Sequence, residues 1–157
     1  MNPCRFCEII NEPRKANEEV VFENEHFIVL LDKYRQTSIG GICLIVPKKH
    51  RANLFELDEY EASEIINLIS FIGKKMQEAY SAKGIRVWTA INKEAGQSIF
   101  HCHIHLVPCN RFIDRLTAMI PGIYDILRRI SKLNKSALNS ERLFEYAEKI
   151  RIQINTN

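Results

Sequence analysis

Gln97-Ser98-Ile99-Phe100-His101-Cys102-His103-Ile104-His105-Leu106-Val107 runs unbroken up to Pro108. Three of the five histidines stand here at alternate positions, 101, 103 and 105. On a β-strand successive side chains point to opposite faces, so the spacing predicts that these three project to one side. Cys102, Ile104 and Leu106 would project to the other side, as core residues. The segment therefore reads as a strand that buries one face and lines the other with titratable groups.

Further apolar runs lie upstream. Glu19 to Phe22 and His26 to Asp32, separated by the polar Glu23-Asn24-Glu25, predict a β-hairpin. Gly40-Gly41 opens a third run, Ile42 to Val46, stopped by Pro47. Asp58 and Glu61 form a capping-box pattern at the start of a helix. Ala62, Ile65, Ile66, Ile69, Ile72, Met76 and Tyr80 continue it at helical spacing, up to Gly84. Ile85 to Ile91 predicts a fourth strand, Asn92 to Gly96 a turn, and Gln97 to Val107 the fifth strand. The order β-β-β-α-β-β contains no repeating βαβ unit. It predicts an α+β fold, an antiparallel five-stranded sheet with a long helix on one face.

Beyond Pro108 the pattern becomes helical, with Ile123, Ile126, Leu127 and Ile130 after Pro121-Gly122 and Leu143, Ala147 and Ile150 after Asn139-Ser140. The expected organisation is a domain over 1–108 and a helical C-terminal extension over 109–157, packed on that domain or on a dimer partner. Basic residues from Arg111 to Arg151 outnumber acidic ones there. They read either as solvated charges or as a docking surface for a polyanion.

The 157 residues, 46% hydrophobic and 26% charged, are ordinary for a globular chain. A net charge of +3 is too mild to make nucleic acid the main partner, but suits an anionic small molecule. No apolar stretch reaches the roughly 18 residues of a membrane span, and Met1-Asn2-Pro3-Cys4-Arg5 is not the start of a secretory signal. The cysteines are odd in number (5), and only Cys4 and Cys7 are close together. That reads as a reducing, cytoplasmic setting.

Alternating histidines fit two chemistries. Neutral imidazoles can ligate a metal. Alternatively, one ring attacks phosphorus near neutral pH while the others hold phosphate oxygens. The attacking ring then needs an acceptor for its Nδ1–H, such as a backbone carbonyl of the same strand, so that Nε2 faces the substrate. Gly96, Gln97 and Ser98 allow close approach and add uncharged donors, which favours phosphoryl oxygens. Cys4 and Cys7 have the C-x-x-C spacing of a zinc knuckle; they read as metal ligands or as free thiols.

Ala95-Gly96-Gln97-Ser98 followed by His101-Cys102-His103-Ile104-His105-Leu106-Val107 resembles the signature of the histidine triad (HIT) family. Cys4 to Ile10, Val21 to His26, Leu31-Asp32 and Val46 to His50 resemble its earlier landmarks. The resemblance covers roughly residues 4 to 108.

It implies a hydrolase or nucleotidyl transferase acting on nucleoside phosphoramidates or dinucleoside polyphosphates, with His103 as nucleophile. It further implies that His105 and Gln97 bind non-bridging oxygens, that Ser98 contacts the leaving group or a phosphate oxygen, and that Asp32 binds the ribose. His101 completes the triad. Phe6, Ile9 and Leu30 are base-pocket candidates, or simply core. The chemistry needs no metal, while a structural zinc ion on Cys4, Cys7, His50 and His101 is implied by the resemblance, as is a homodimer. The chain departs from the family pattern at Ala90, where an asparagine is usual, at Asn92, and through Lys33 to Gly41, which lacks the usual prolines. Two rivals stand beside the enzyme: a nucleotide-binding adaptor with little turnover, and a protein whose histidine strand is wholly metal-binding.

Overall fold

A computed structural model describes residues 4–12, 18–37, 39–110 and 139–156. Its elements are α1 (Arg5–Asn11), β1 (Val20–Glu23), β2 (Phe27–Gln36), β3 (Gly41–Pro47), α2 (Glu59–Tyr80), β4 (Gly84–Trp88), β5 (Ile104–Cys109) and α3 (Ser140–Asn155). The strands form one sheet in the order β1-β2-β3-β5-β4, and every neighbouring pair is antiparallel. This is the expected α+β architecture, with the long helix on one face.

Local chemistry sets the turns. Asn24 Oδ1 accepts from the backbone N–H of His26 and Phe27 (3.0 and 2.8 Å) and closes the β1–β2 hairpin. At the start of α2, Asp58 Oδ1 accepts from the Glu61 N–H (2.9 Å), and Glu61 Oε2 accepts from the Asp58 N–H (3.0 Å). Arg51 pairs with both carboxylates, at 2.9 Å to Glu61 and 3.1 Å to Asp58, which offsets the cost of burying Glu61. Ser81, in the left-handed region at φ 49°, ends the helix ahead of Gly84.

The sheet has two different faces. On one, Phe27, Val29, Leu31, Cys43, Ile45, Ile104 and Leu106 meet Ile65, Leu68, Ile72, Met76 and Tyr80 of α2. Of the expected helix stripe, Ala62 and Ile66 face solvent instead, and Leu68 takes the buried position that the 3.6-residue period assigns. On the other face, Ile28, Leu30, Leu44 and Val46 pack under Phe6 of α1.

The fifth strand is shorter than its sequence pattern predicts. It starts at Ile104, so His101 and His103 precede it in an irregular segment. The cause is a competing partner: the Cys102 N–H donates to the Arg51 carbonyl (2.5 Å), drawing this stretch to the loop after β3 and away from the ladder. Cys102, Ile104 and Leu106 are nonetheless buried as expected. β4 likewise stops at Trp88, short of Ile91.

In β2 the pairing breaks between Leu31↔Cys43 and Gln36↔Gly41. Four residues, Asp32 to Arg35, there face the single residue Ile42 and bulge out of the ladder.

α3 begins at Asn139, whose side chain caps it by accepting from the Arg142 N–H (3.1 Å). Its Leu143, Ala147 and Ile150 enter the same core as α2. The Tyr80 hydroxyl donates to the Tyr146 carbonyl (3.0 Å), and the Tyr146 hydroxyl reaches Gln36 Oε1 (3.1 Å). Within α3, Lys149 pairs with Glu145 and Arg151 with Glu148. The helix expected after Pro121-Gly122, and the basic residues from Arg111 to Lys135, lie outside the described residues. No helix of the described residues is long and apolar enough to cross a membrane.

Leu143 is 1% exposed. Leu143→Ala is expected to lower the free energy of unfolding by about 2–5 kcal/mol, read by urea denaturation. A loosely attached tail would give no change.

Candidate active site

The shortened fifth strand sends the histidines two ways. The His101 ring turns to the N-terminal cysteines, while His103 and His105 line a cleft of about 470 Å³ on the α1 face of the sheet. Phe6 sits between the two groups, with ring centroids 5.7 Å from His101 and 5.3 Å from His103.

His101 is fully buried. Its Nε2 is 2.8 Å from the Pro47 carbonyl, so with the proton on Nε2 it donates there and leaves the Nδ1 lone pair free. Nδ1 lies 3.4 Å from Cys4 Sγ and 3.6 Å from Cys7 Sγ, and Cys7 Sγ is 3.2 Å from His50 Nδ1. The four ligand atoms lie within 4.8 Å of one another. Metal–ligand bonds of roughly 2.0–2.3 Å give a tetrahedron edges of roughly 3.3–3.8 Å, so Cys4, Cys7, His50 and His101 fit a closed four-ligand metal site with little adjustment.

His103 Nδ1 is 2.7 Å from the His101 carbonyl, and the carbonyl of His103 accepts from the Thr89 hydroxyl (2.8 Å). The backbone acceptor expected for the nucleophile is thus present, and Nε2 keeps its lone pair. Burial is the main influence lowering the His103 pKa, opposed by the bond to His101 and the charge of Asp32. His105 is stacked on Trp88, with centroids 3.9 Å apart and planes 2° from parallel. Burial first, then His103 and the charge of Arg35, push its pKa down to about 2. Both rings are neutral at physiological pH. His105 Nδ1 is buried without a hydrogen-bond partner among the described residues.

Asp32, in the β2 bulge, lines the cleft and accepts at Oδ1 from the Tyr34 N–H (2.9 Å). Burial raises its pKa, opposed by that N–H and by Arg35 and Arg5. Ser98 and Ile9 line the cleft, as do Phe6 and Leu30, which also belong to the core beneath it. Ala90 is a lining residue too, and Asn92 takes the positive φ (69°) that its turn requires.

Gln97 lines the cleft but is 4% exposed and committed to backbone. Its Nε2 donates to the carbonyls of Ala52 (2.6 Å) and Ile99 (3.1 Å), and its Oε1 accepts from the Asn92 N–H (2.8 Å). It staples the β4–β5 loop to the loop after β3, with both amide protons occupied.

Sequence reasoning missed Trp88, Arg5, Tyr34 and Arg35, all of which line the cleft. Trp88 is the only tryptophan in the chain. That rarity is the one signal by which the sequence sets it apart.

A cleft on an open antiparallel sheet, holding a backbone-oriented imidazole beside a second neutral one, defines a histidine-triad site. The HIT domain family model matches residues 14–112, and the chain belongs to that family. An uncharacterized HIT-like protein of Saccharolobus solfataricus is 34% identical over 67% of this chain and 73% of its own length. Among solved structures, a hypothetical histidine triad nucleotide-binding protein from Sulfolobus tokodaii aligns with TM-score 0.72 and 29% identity over 96% of this chain and 91% of that one. A HIT family hydrolase from Clostridium thermocellum aligns with TM-score 0.57 and 31% identity over 71% and 95%. A zinc-bound histidine triad family protein from Mycobacterium smegmatis shares the fold, with TM-score 0.62 and 22% identity over 96% and 92%.

The neutral His105 has a consequence for stability. Its pKa is near 2 when folded and about 6.5 when unfolded, so below about pH 6.5 the unfolded state binds the extra proton and stability falls with falling pH. The loss from this residue between pH 7 and pH 5 is about 2 kcal/mol. His105→Asn is expected to shrink the pH 7-to-5 difference in urea unfolding by that order; an unchanged difference would mean that His105 protonates freely in the folded protein.

Proposed function

We propose that this chain hydrolyses or transfers nucleotidyl groups at phosphoramidate or phosphoanhydride bonds, through a covalent intermediate on His103. The supporting observation is the 2.7 Å contact from His103 Nδ1 to the His101 carbonyl, which fixes the tautomer and aims the Nε2 lone pair at the cleft. In the first step Nε2 bonds to phosphorus and the bond to the leaving amine or phosphate breaks. Water then attacks the same phosphorus, releasing a nucleoside monophosphate and the neutral ring. His105 supplies an N–H to a non-bridging oxygen, Ser98 contacts the leaving side, and Asp32 holds the ribose hydroxyls. Phe6, Ile9 and Leu30 floor the base pocket. Gln97, with its amide protons engaged, acts by holding the loop that carries Ser98.

Cys4, Cys7, His50 and His101 would hold a structural zinc ion. Bound there, the ion would clamp α1 against the segment that carries the nucleophile, outside the reaction itself. That reading rests on the ligand spacing and on the zinc-bound relative. We further propose residues 1–108 as the catalytic domain, 109–157 as its extension, and a homodimer as the assembly.

Intact-mass measurement after mixing with an adenosine phosphoramidate or diadenosine polyphosphate is expected to show an acid-labile nucleotidyl adduct. His103→Ala should abolish it, lowering turnover by at least about 10³-fold, and keep the full metal content. No adduct and no turnover in the unsubstituted chain would favour the adaptor, to which Ala90 lends weight. Metal loss in His103→Ala would favour a wholly metal-binding histidine run.

A further inference from the structure

Three cations line the cleft: Arg5, Lys33 and Arg35. Two already have an ion-pair partner. Arg5 and Lys33 share the Glu19 carboxylate, at 3.5 and 3.4 Å, and Arg5 also lies 4.9 Å above the Tyr34 ring. Arg35 has no carboxylate within ion-pair distance among the described residues, although its charge is felt at Asp32 and His105. A half-buried guanidinium facing a cleft with no close ion-pair partner among the described residues is suited to an anion. Its planar fork matches two phosphate oxygens at once.

Two other features point the same way. The β2 bulge breaks the ladder over Asp32 to Arg35 and turns the whole segment to the cleft, where an uninterrupted strand would alternate its side chains between faces. The Tyr146 hydroxyl contact to Gln36 secures the end of that bulge. Meanwhile the amide donor expected for the phosphate, Gln97, is used up by backbone carbonyls. The site therefore has neutral histidines, an occupied glutamine and, among its described cations, one with no ion-pair partner.

Resting on the function proposed above, we infer that Arg35 is a substrate-contacting residue that grips the phosphate oxygens of the nucleotide beside His103, supplying the positive charge that Gln97 cannot. The ligand class it selects is a phosphate-bearing nucleotide over the bare nucleoside. During attack it faces the charge that gathers on the equatorial oxygens.

Calorimetric titration of the full chain with AMP and with adenosine tests this, with the unfolding midpoint confirming that the Arg35→Gln variant is folded. R35Q is expected to weaken AMP binding at least tenfold, leave adenosine within threefold, and slow adduct formation on His103 by about 10²-fold. Equal AMP affinity in R35Q and the unsubstituted chain would overturn the assignment, as would parallel loss of AMP and adenosine. If the unsubstituted chain binds AMP yet forms no adduct, the enzymatic reading fails while the AMP comparison still decides the role of Arg35. If it does not bind AMP at all, both readings fall.

Discussion

The hydrogen bond from His103 Nδ1 to the His101 carbonyl joins two sites through one residue. The His101 ring lies among Cys4, Cys7 and His50, and its backbone oxygen holds the His103 imidazole. Displacing His101 would therefore disturb the ligand cluster and the orientation of His103 together. The Pro47 carbonyl on the far nitrogen of the His101 ring, and the Arg51 carbonyl on the N–H of Cys102, pin this residue from both sides. Both acceptors belong to the end of β3 and the loop after it, so the site inherits the rigidity of the sheet centre.

The two sheet faces divide the labour. One is closed by α2 and α3 over a continuous apolar core; the other carries a smaller apolar layer on which α1 and the bulged β2 segment both line the cleft. Neutral rings and few paired charges keep the cleft's own electrostatics simple.

Much of this was legible in the residues because the signals were local. The Asp58/Glu61 cap, the Asn24 turn, the apolar runs of β2 and β3 and the Asn139 cap each depend on neighbours within a few positions. The cysteine spacing and the histidine run marked their clusters by residue type. Long-range choices were not legible. The start of β5 is set by the Cys102 N–H finding Arg51, some fifty residues away, and no periodicity reports that. The β2 bulge arises from register against β3. Gln97 looked like a free donor because its acceptors, at Ala52 and Ile99, are fixed only once the loops meet. The Trp88 stack on His105 joins two strands whose pairing emerges from the fold.

The contact between Tyr146 and Gln36 ties α3 to the cleft wall across 110 residues. A chain emerging from the ribosome presents every strand, the cysteine pair and the histidine run before α3 is made. The strands are thus complete in the early product, yet the support behind the bulge arrives only with the late helix. Maturation of the pocket thus lags behind formation of the scaffold. Loss of the Tyr146 hydroxyl alone would be felt as a blunted preference among ligands, with the apolar face of α3 still seated in the core.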